Sequence, residues 1–152
     1  HPRNADNIDN LNRSVEYIKE FFVSSGARVT AQGVPIGYYD SAPGSQDYPY
    51  PAMSWLYPDR GDFIAVVGRM QDINAVRQVK ATLLSSRYLS VYSMNAPGFI
   101  PGIDFSDHLN YWQHDIPAVM ITDTAFYRNK QYHLPGDTAD RLNYQKMAQM
   151  VL

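Results

Sequence analysis

The stretch Phe63-Ile64-Ala65-Val66-Val67-Gly68 is a continuous apolar run with no polar interruption. It is too short for a helix and rich in β-branched residues, so it reads as a strand buried on both faces, as in a sheet covered by helices. Such a strand belongs at the centre of its sheet. Downstream, Asp72 is placed to cap a helix whose Ile73, Val76, Val79 and Leu83 form one stripe. Arg87 to Met94 alternates into a second strand, and Ser106 is placed to cap a short helix through His114. Pro117 to Thr122 reads as the next buried strand, and a final helix begins at about Asn143 with Tyr144, Met147, Ala148 and Val151 on one face. Upstream, Ile8, Leu11, Val15, Ile18 and Phe22 make an amphipathic helix running to about Ser25, stopped by Gly26 and followed by a short strand from Ala27 to Gln32. Helices alternating with apolar strands predict an α/β fold, a three-layer sandwich of a mostly parallel or mixed sheet flanked by helices.

The chain has 152 residues, 45% of them hydrophobic, which is enough for one domain with a real core. We divide that single domain, 1–152, into an N-terminal helix and strand (1–35) and a larger part (36–152). The formal net charge is -2 and the basic residues are scattered, which argues against nucleic acid or an anionic membrane as partner. No apolar run reaches the roughly 18 to 20 residues of a membrane span. A soluble protein is therefore expected, cytoplasmic or exported with its signal removed, since His1 in place of Met suggests a trimmed start. With no cysteine, any metal is left to imidazole and carboxylate ligands.

Between Asp40 and Asp62 the chain carries Pro43, Gly44, Pro49, Pro51, Pro58 and Gly61, which excludes a long helix or a central strand. A loop of this length is uncommon within a compact domain. It is either a binding surface or the neighbour of a missing element. Tyr38, Tyr39, Tyr48, Tyr50, Trp55 and Tyr57 could supply a recognition surface, or they could simply cover the sheet.

Ser106-Asp107-His108 contains the residue types of a nucleophilic triad, but consecutive residues at a helix start point in different directions and cannot align as one. A helix cap with a carboxylate at its positive end is the plainer reading, and a polar contribution to a site is the other. A lone histidine such as His133 specifies no metal by itself. It follows a buried strand, however, in a loop where α/β folds place ligands, and Asp123, Tyr132 and Asp137 flank it.

Three ordered segments, Ser106 to Trp112, Ile116 to Asn129 and Tyr132 to Thr138, resemble the C-terminal signature of the bacterial zinc aminopeptidases, a family that also includes glutaminyl cyclases. Ile36-Gly37-Tyr38-Tyr39-Asp40 through Phe63 resembles the segment that follows the family's third acidic ligand, and the N-terminal helix and strand are similar to the family's first unit. The resemblance implies a zinc-dependent peptide hydrolase with peptides as substrate. In it His133 is the terminal imidazole ligand of one of two zinc ions, Tyr132 polarises the scissile carbonyl, and Asp107 hydrogen-bonds within the site. A hydroxide held between two zinc ions supplies the nucleophile in such sites, and a phenol stabilises the oxyanion.

The chain departs from this pattern at decisive places. The His-x-Asp strand end, the Asp-Asp-Asn-type bridging segment and the Glu-Glu pair are missing, and Gly33-Val34-Pro35 stands where the third acidic ligand belongs. The only glutamates, Glu16 and Glu20, belong to the outward face of the first helix. The pattern is that of a block removed between the first strand and Ile36. A deletion, a stretch of chain not represented in this sequence, and a noncatalytic relative all remain open. Weak or absent zinc binding and no catalysis are expected of these 152 residues. The alternatives are a noncatalytic binding domain using the loop 40–60, and self-association through an uncovered sheet edge.

Overall fold

The computed structural model describes residues 36–85 and 87–150. The chain divides into two compact units, His1–Gly33 with Val151–Leu152, and Val34–Met150, and all the described residues belong to the second. The helix and strand expected before Gln32, and Val151 of the last helix, lie outside the described residues.

Strand β1 (Phe63–Gly68) is buried along its whole length, with Ile64 and Val66 fully sealed. It pairs in parallel with β2 (Ser90–Asn95), from Phe63 opposite Ser90 to Gly68 opposite Asn95. On its other side it pairs antiparallel with β3 (Val119–Thr122), from Ala65 opposite Thr122 to Gly68 opposite Val119. The described sheet is thus mixed, in the order β2-β1-β3, with the apolar run at its centre as the sequence predicts. The protein is a small mixed α/β fold.

Side chains along a strand alternate between the two faces, and β1 builds a core on each. Phe63, Ala65 and Val67 pack with Ala96, Ile103 and Trp112 on one side. Val66 packs with Val76 and Val91 on the other, where Val79 and Leu83 extend the cluster. The second side is closed by helix α1 (Ile73–Ser85), the crossover that a parallel β1–β2 pair requires. Gly68 allows α1 to come this close, because a Cβ there would lie 2.5 Å from Cγ2 of Val76. The first side is closed by the 96–112 segment, which ends in α2 (His108–Gln113).

Several boundaries differ from expectation for local reasons. Asp72 ends a 3-10 turn, Met70–Asp72, and its carboxylate accepts from Nε of Arg69 at 2.8 Å. The Arg69 guanidinium also reaches the carbonyl of Trp112 at 3.0 Å, tying the start of α1 to the end of α2. Ile73 is 38% exposed, so the stripe is carried by Val76, Val79 and Leu83. β2 starts at Ser90 and not at Arg87, because Arg87 adopts φ 59 in the turn that ends α1. β3 starts two residues after Pro117, which has no N–H to give a ladder, and it is mostly half-buried instead of sealed on both faces. α2 starts from Asp107 with no side-chain cap, and Ser106 contributes only its carbonyl, to the N–H of Leu109 at 3.1 Å. The last helix, α3 (Tyr144–Gln149), begins as predicted, with the Asn143 side chain accepting from the N–H of Lys146 at 3.0 Å. No helix of the described residues is long and apolar enough to cross a membrane.

Candidate functional site

The chain leaves β3 through a turn that a buried carboxylate organises. Asp123 is 2% exposed and accepts from the N–H of Tyr38 at 2.8 Å and of Ala125 at 3.0 Å. Burial pushes its carboxyl above the usual range, against the pull of those N–H groups and of Arg128. Thr124 and Ala125 both take positive φ, 74° and 48°, a costly conformation for residues with a Cβ. The two hydrogen bonds of Asp123 offset that cost. Arg128 closes the turn from below, 3% exposed, donating from Nε to Oε1 of Gln46 at 3.0 Å and from Nη1 to the carbonyl of Tyr38 at 3.1 Å. Its guanidinium lies 4.7 Å from the centre of the Phe63 ring, so the turn rests directly on the first residue of β1.

From this base the loop carrying Tyr132 and His133 is held by three polar side chains. Asn129, 3% exposed, donates to Oδ1 of Asp137 at 2.8 Å and accepts from Nη1 of Arg141 at 2.9 Å and from the N–H of Gln131 at 3.0 Å. The other carboxylate oxygen of Asp137 accepts from the N–H of His133 at 3.2 Å. His133 sits in the left-handed region, φ 61, with an exposed ring stacked on that of Tyr132 at 4.1 Å between centroids. Tyr132 is half-buried. Burial first, then the charges of Asp123 and Asp137, push its phenol above the ordinary value, so at neutral pH it remains protonated and able to donate.

The structure therefore brings Tyr132 and His133 together on one fixed loop, with Asp137 beneath them. Asp107 is exposed at the start of α2, and its neighbour Phe105 is what reaches this region, 6.0 Å from Phe126, which in turn lies 6.5 Å from Tyr132. His108 points inward, its Nε2 2.6 Å from the carbonyl of Ile103 and its ring edge-on to Trp112, so it is a core residue. Asn129, Arg141, Gln46 and Arg128, which hold the loop, carry no sequence signal, since each acts through a partner distant in the chain.

Among the described residues no group of three or more His, Cys, Asp or Glu side chains is arranged to hold a metal ion. A zinc site takes three or four protein ligands, and His133 supplies one imidazole. The described residues do not fit a zinc pair, and no step of chemistry through zinc follows from them.

No family model matches the chain, and no solved structure matches it. It is 53% identical over 260 residues to the uncharacterized protein YfbL of Escherichia coli (strain K12), covering 99% of this chain and 80% of that protein. Of the 260 positions this chain of 152 can occupy at most 152, so at least 108 positions of the alignment have no residue here. Identity at 53% of the whole then means that most positions that do pair carry the same residue. The chain belongs to the family of the Escherichia coli protein YfbL.

Proposed function

We propose that the chain carries one side of an aminopeptidase-like peptide-hydrolase site, and that the other side lies in the positions it lacks. The observation that carries this reading is the Tyr132–His133 pair. A half-buried phenol, protonated at neutral pH as any tyrosine is, beside an exposed imidazole on a loop pinned by Asn129, Asp137 and Arg141, is suited to donating a hydrogen bond to a peptide carbonyl. In this reading the fold is the three-layer α/β sandwich of the zinc exopeptidases, and the positions missing from the alignment hold the remaining ligands and the glutamate base. His133 would be the retained ligand in the longer relative, and Asp107 would act from the α2 start. The 152-residue chain is then a zinc-free, noncatalytic form, because one imidazole with no glutamate among the described residues cannot assemble the nucleophile.

The test compares this chain with intact YfbL. Zinc stoichiometry after metal-free dialysis and turnover of aminoacyl anilides are measured for both. The expected result is chelator-sensitive hydrolysis by YfbL, abolished by alanine at its position aligned with His133, and neither zinc nor turnover in the 152-residue chain. A YfbL that neither binds zinc nor cleaves these substrates would sink the reading. Stoichiometric zinc with turnover in the short chain would overturn its second half.

A noncatalytic binding role for the loop 40–60 is favoured by a different observation. Tyr48 and Tyr57 are spent inside the fold, stacking at 5.9 Å, while Trp55 and Leu56 are 87% and 76% exposed. Binding that depends on Trp55 and ignores metal would distinguish this role from hydrolysis.

A further inference from the structure

The loop between Asp40 and Gly61 is anchored at both ends and along its length. Asp40 and Gly61 form an isolated antiparallel bridge, with the N–H of Asp40 donating to the carbonyl of Gly61 at 2.9 Å. Inside the loop Gln46 N–H donates to the Asp59 carbonyl at 3.1 Å, and the Tyr48 hydroxyl to the Pro58 carbonyl at 2.7 Å. The Tyr57 hydroxyl reaches the carbonyl of Ser93 on β2 at 3.1 Å. On this frame stands a 3-10 turn, Pro51–Trp55, whose Trp55 and Leu56 project into solvent, 87% and 76% exposed, with Tyr50 beside them at 45%. The turn is held at its end, because the N–H groups of Leu56 and Tyr57 both donate to the carbonyl of Met53 at 3.0 Å.

Large apolar side chains fixed in solvent on a rigid turn mark a contact surface. From Tyr48 to Pro58 the sequence has no charged residue, so the tip offers an apolar contact and no ionic one. The longer relative contains at least 108 positions with no counterpart in this chain. In the aminopeptidase-like reading those positions rejoin the chain just before Ile36, and the Ile36–Asp40 segment leads straight into the bridge that closes this loop.

We propose that the Trp55–Leu56 tip is the seat of the block that this chain lacks: it forms an internal interface in YfbL and stands open here. The placement of the block rests on the reading under Proposed function, whereas the burial of the tip can be measured without it.

Dose-matched hydroxyl-radical labelling of this chain and of intact YfbL, read residue by residue by mass spectrometry, tests the proposal. Trp55 and Leu56 are expected to label several-fold more strongly in this chain than the aligned positions do in YfbL. Equal labelling at the tip would overturn the proposal. So would protection of Trp55 that grows with the concentration of this chain alone, which assigns the tip to a second copy. The readout is independent of zinc. A YfbL that protects the tip but binds no zinc removes the hydrolase reading and leaves the interface standing, and an active zinc enzyme with an exposed tip does the reverse.

Discussion

Nε of Arg128 donates to Oε1 of Gln46 at 3.0 Å across 82 residues of sequence, and this bond helps the turn after β3 hold the long loop before β1, alongside the N–H of Asp47 donating to the carbonyl of Tyr127 at 2.8 Å. The same amide oxygen accepts from the hydroxyl of Thr124 at 3.1 Å, so Gln46 binds both arms of the turn. Gly61, at the far end of the loop, lies against the stem of Arg128, where a Cβ would fall 2.5 Å from Cδ. The candidate loop stands on this arrangement.

Replacing Arg128 by Met keeps the stem and removes the two hydrogen bonds that the guanidinium donates to Gln46 and to the carbonyl of Tyr38. Hydrogen bonds from a charged group are worth about 1.5 to 3 kcal/mol each. Gly61→Ala attacks the same contact sterically, and overpacking of this kind costs about 1 to 3 kcal/mol. Urea denaturation of both variants is expected to show these losses. A change within about 0.5 kcal/mol for Arg128→Met, the range of an ordinary surface substitution, would show that the cluster is not a support.

Asp123 gives the protein a pH dependence of definite sign. Its folded carboxyl is raised by burial above the ordinary aspartate value of 3.8, so the folded state favours the protonated form. The contribution is therefore fully present below pH 3.8 and is lost as pH rises through the folded value. Asp123→Asn loses one backbone acceptor at every pH but escapes that loss. Its deficit relative to wild type is expected to be largest near pH 4 and to shrink by pH 7. A deficit that grows with pH would contradict the assigned direction.

The outline of the fold was legible because local pattern and burial agree in it. The run 63–68 is apolar at every position, and burial on both faces leaves it one place, the middle of the sheet. Asn143 as the start of the last helix was equally plain. What the sequence hid was long-range or conformational. Arg128, Gln46, Asn129 and Arg141 have meaning only through partners on other elements, and a single chain pattern does not pair them. The left-handed backbone at Arg87 that shortens β2 is a turn property that no periodicity records. His133 and Tyr132 stood out by family resemblance, while Asp137, noticed only as a neighbour, proved to be what holds the His133 backbone.

The loop network makes a spectroscopic prediction at Tyr132. Its phenol is raised chiefly by burial, and Asn129 is the buried side chain that fixes the loop around it. Asn129→Ala strands the partners of three hydrogen bonds, each worth about 1 kcal/mol, and frees the loop. Ultraviolet titration of tyrosinate should then show one phenol moving down toward 10.0, the ordinary tyrosine value, with Tyr132→Phe identifying it by its absence. An unchanged titration in Asn129→Ala would mean that the loop keeps its conformation without this side chain.

His108 is buried against Trp112, and burial lowers its pKa from the ordinary histidine value of 6.5. The folded state therefore favours the neutral ring, and its contribution is present above pH 6.5 and lost as pH falls through the lower folded value. Wild type is expected to lose more stability between pH 7 and pH 5 than His108→Gln, which has no titrating group at that position. Equal losses would place the acid sensitivity elsewhere.

His133 separates backbone from side chain at the candidate site. At φ 61 any residue with a Cβ is strained, by roughly 1 to 2 kcal/mol relative to the right-handed region, and glycine is not. His133→Gly is therefore expected to keep or raise the melting temperature. His133→Val, β-branched and ill-suited to this conformation, should lower it, although both remove the same imidazole. If the imidazole itself held the loop, through its stacking on Tyr132 at 4.1 Å, the two variants would fall together. The divergence would separate the strain of the backbone at His133 from the contribution of its ring, which is exposed and stacked beside Tyr132.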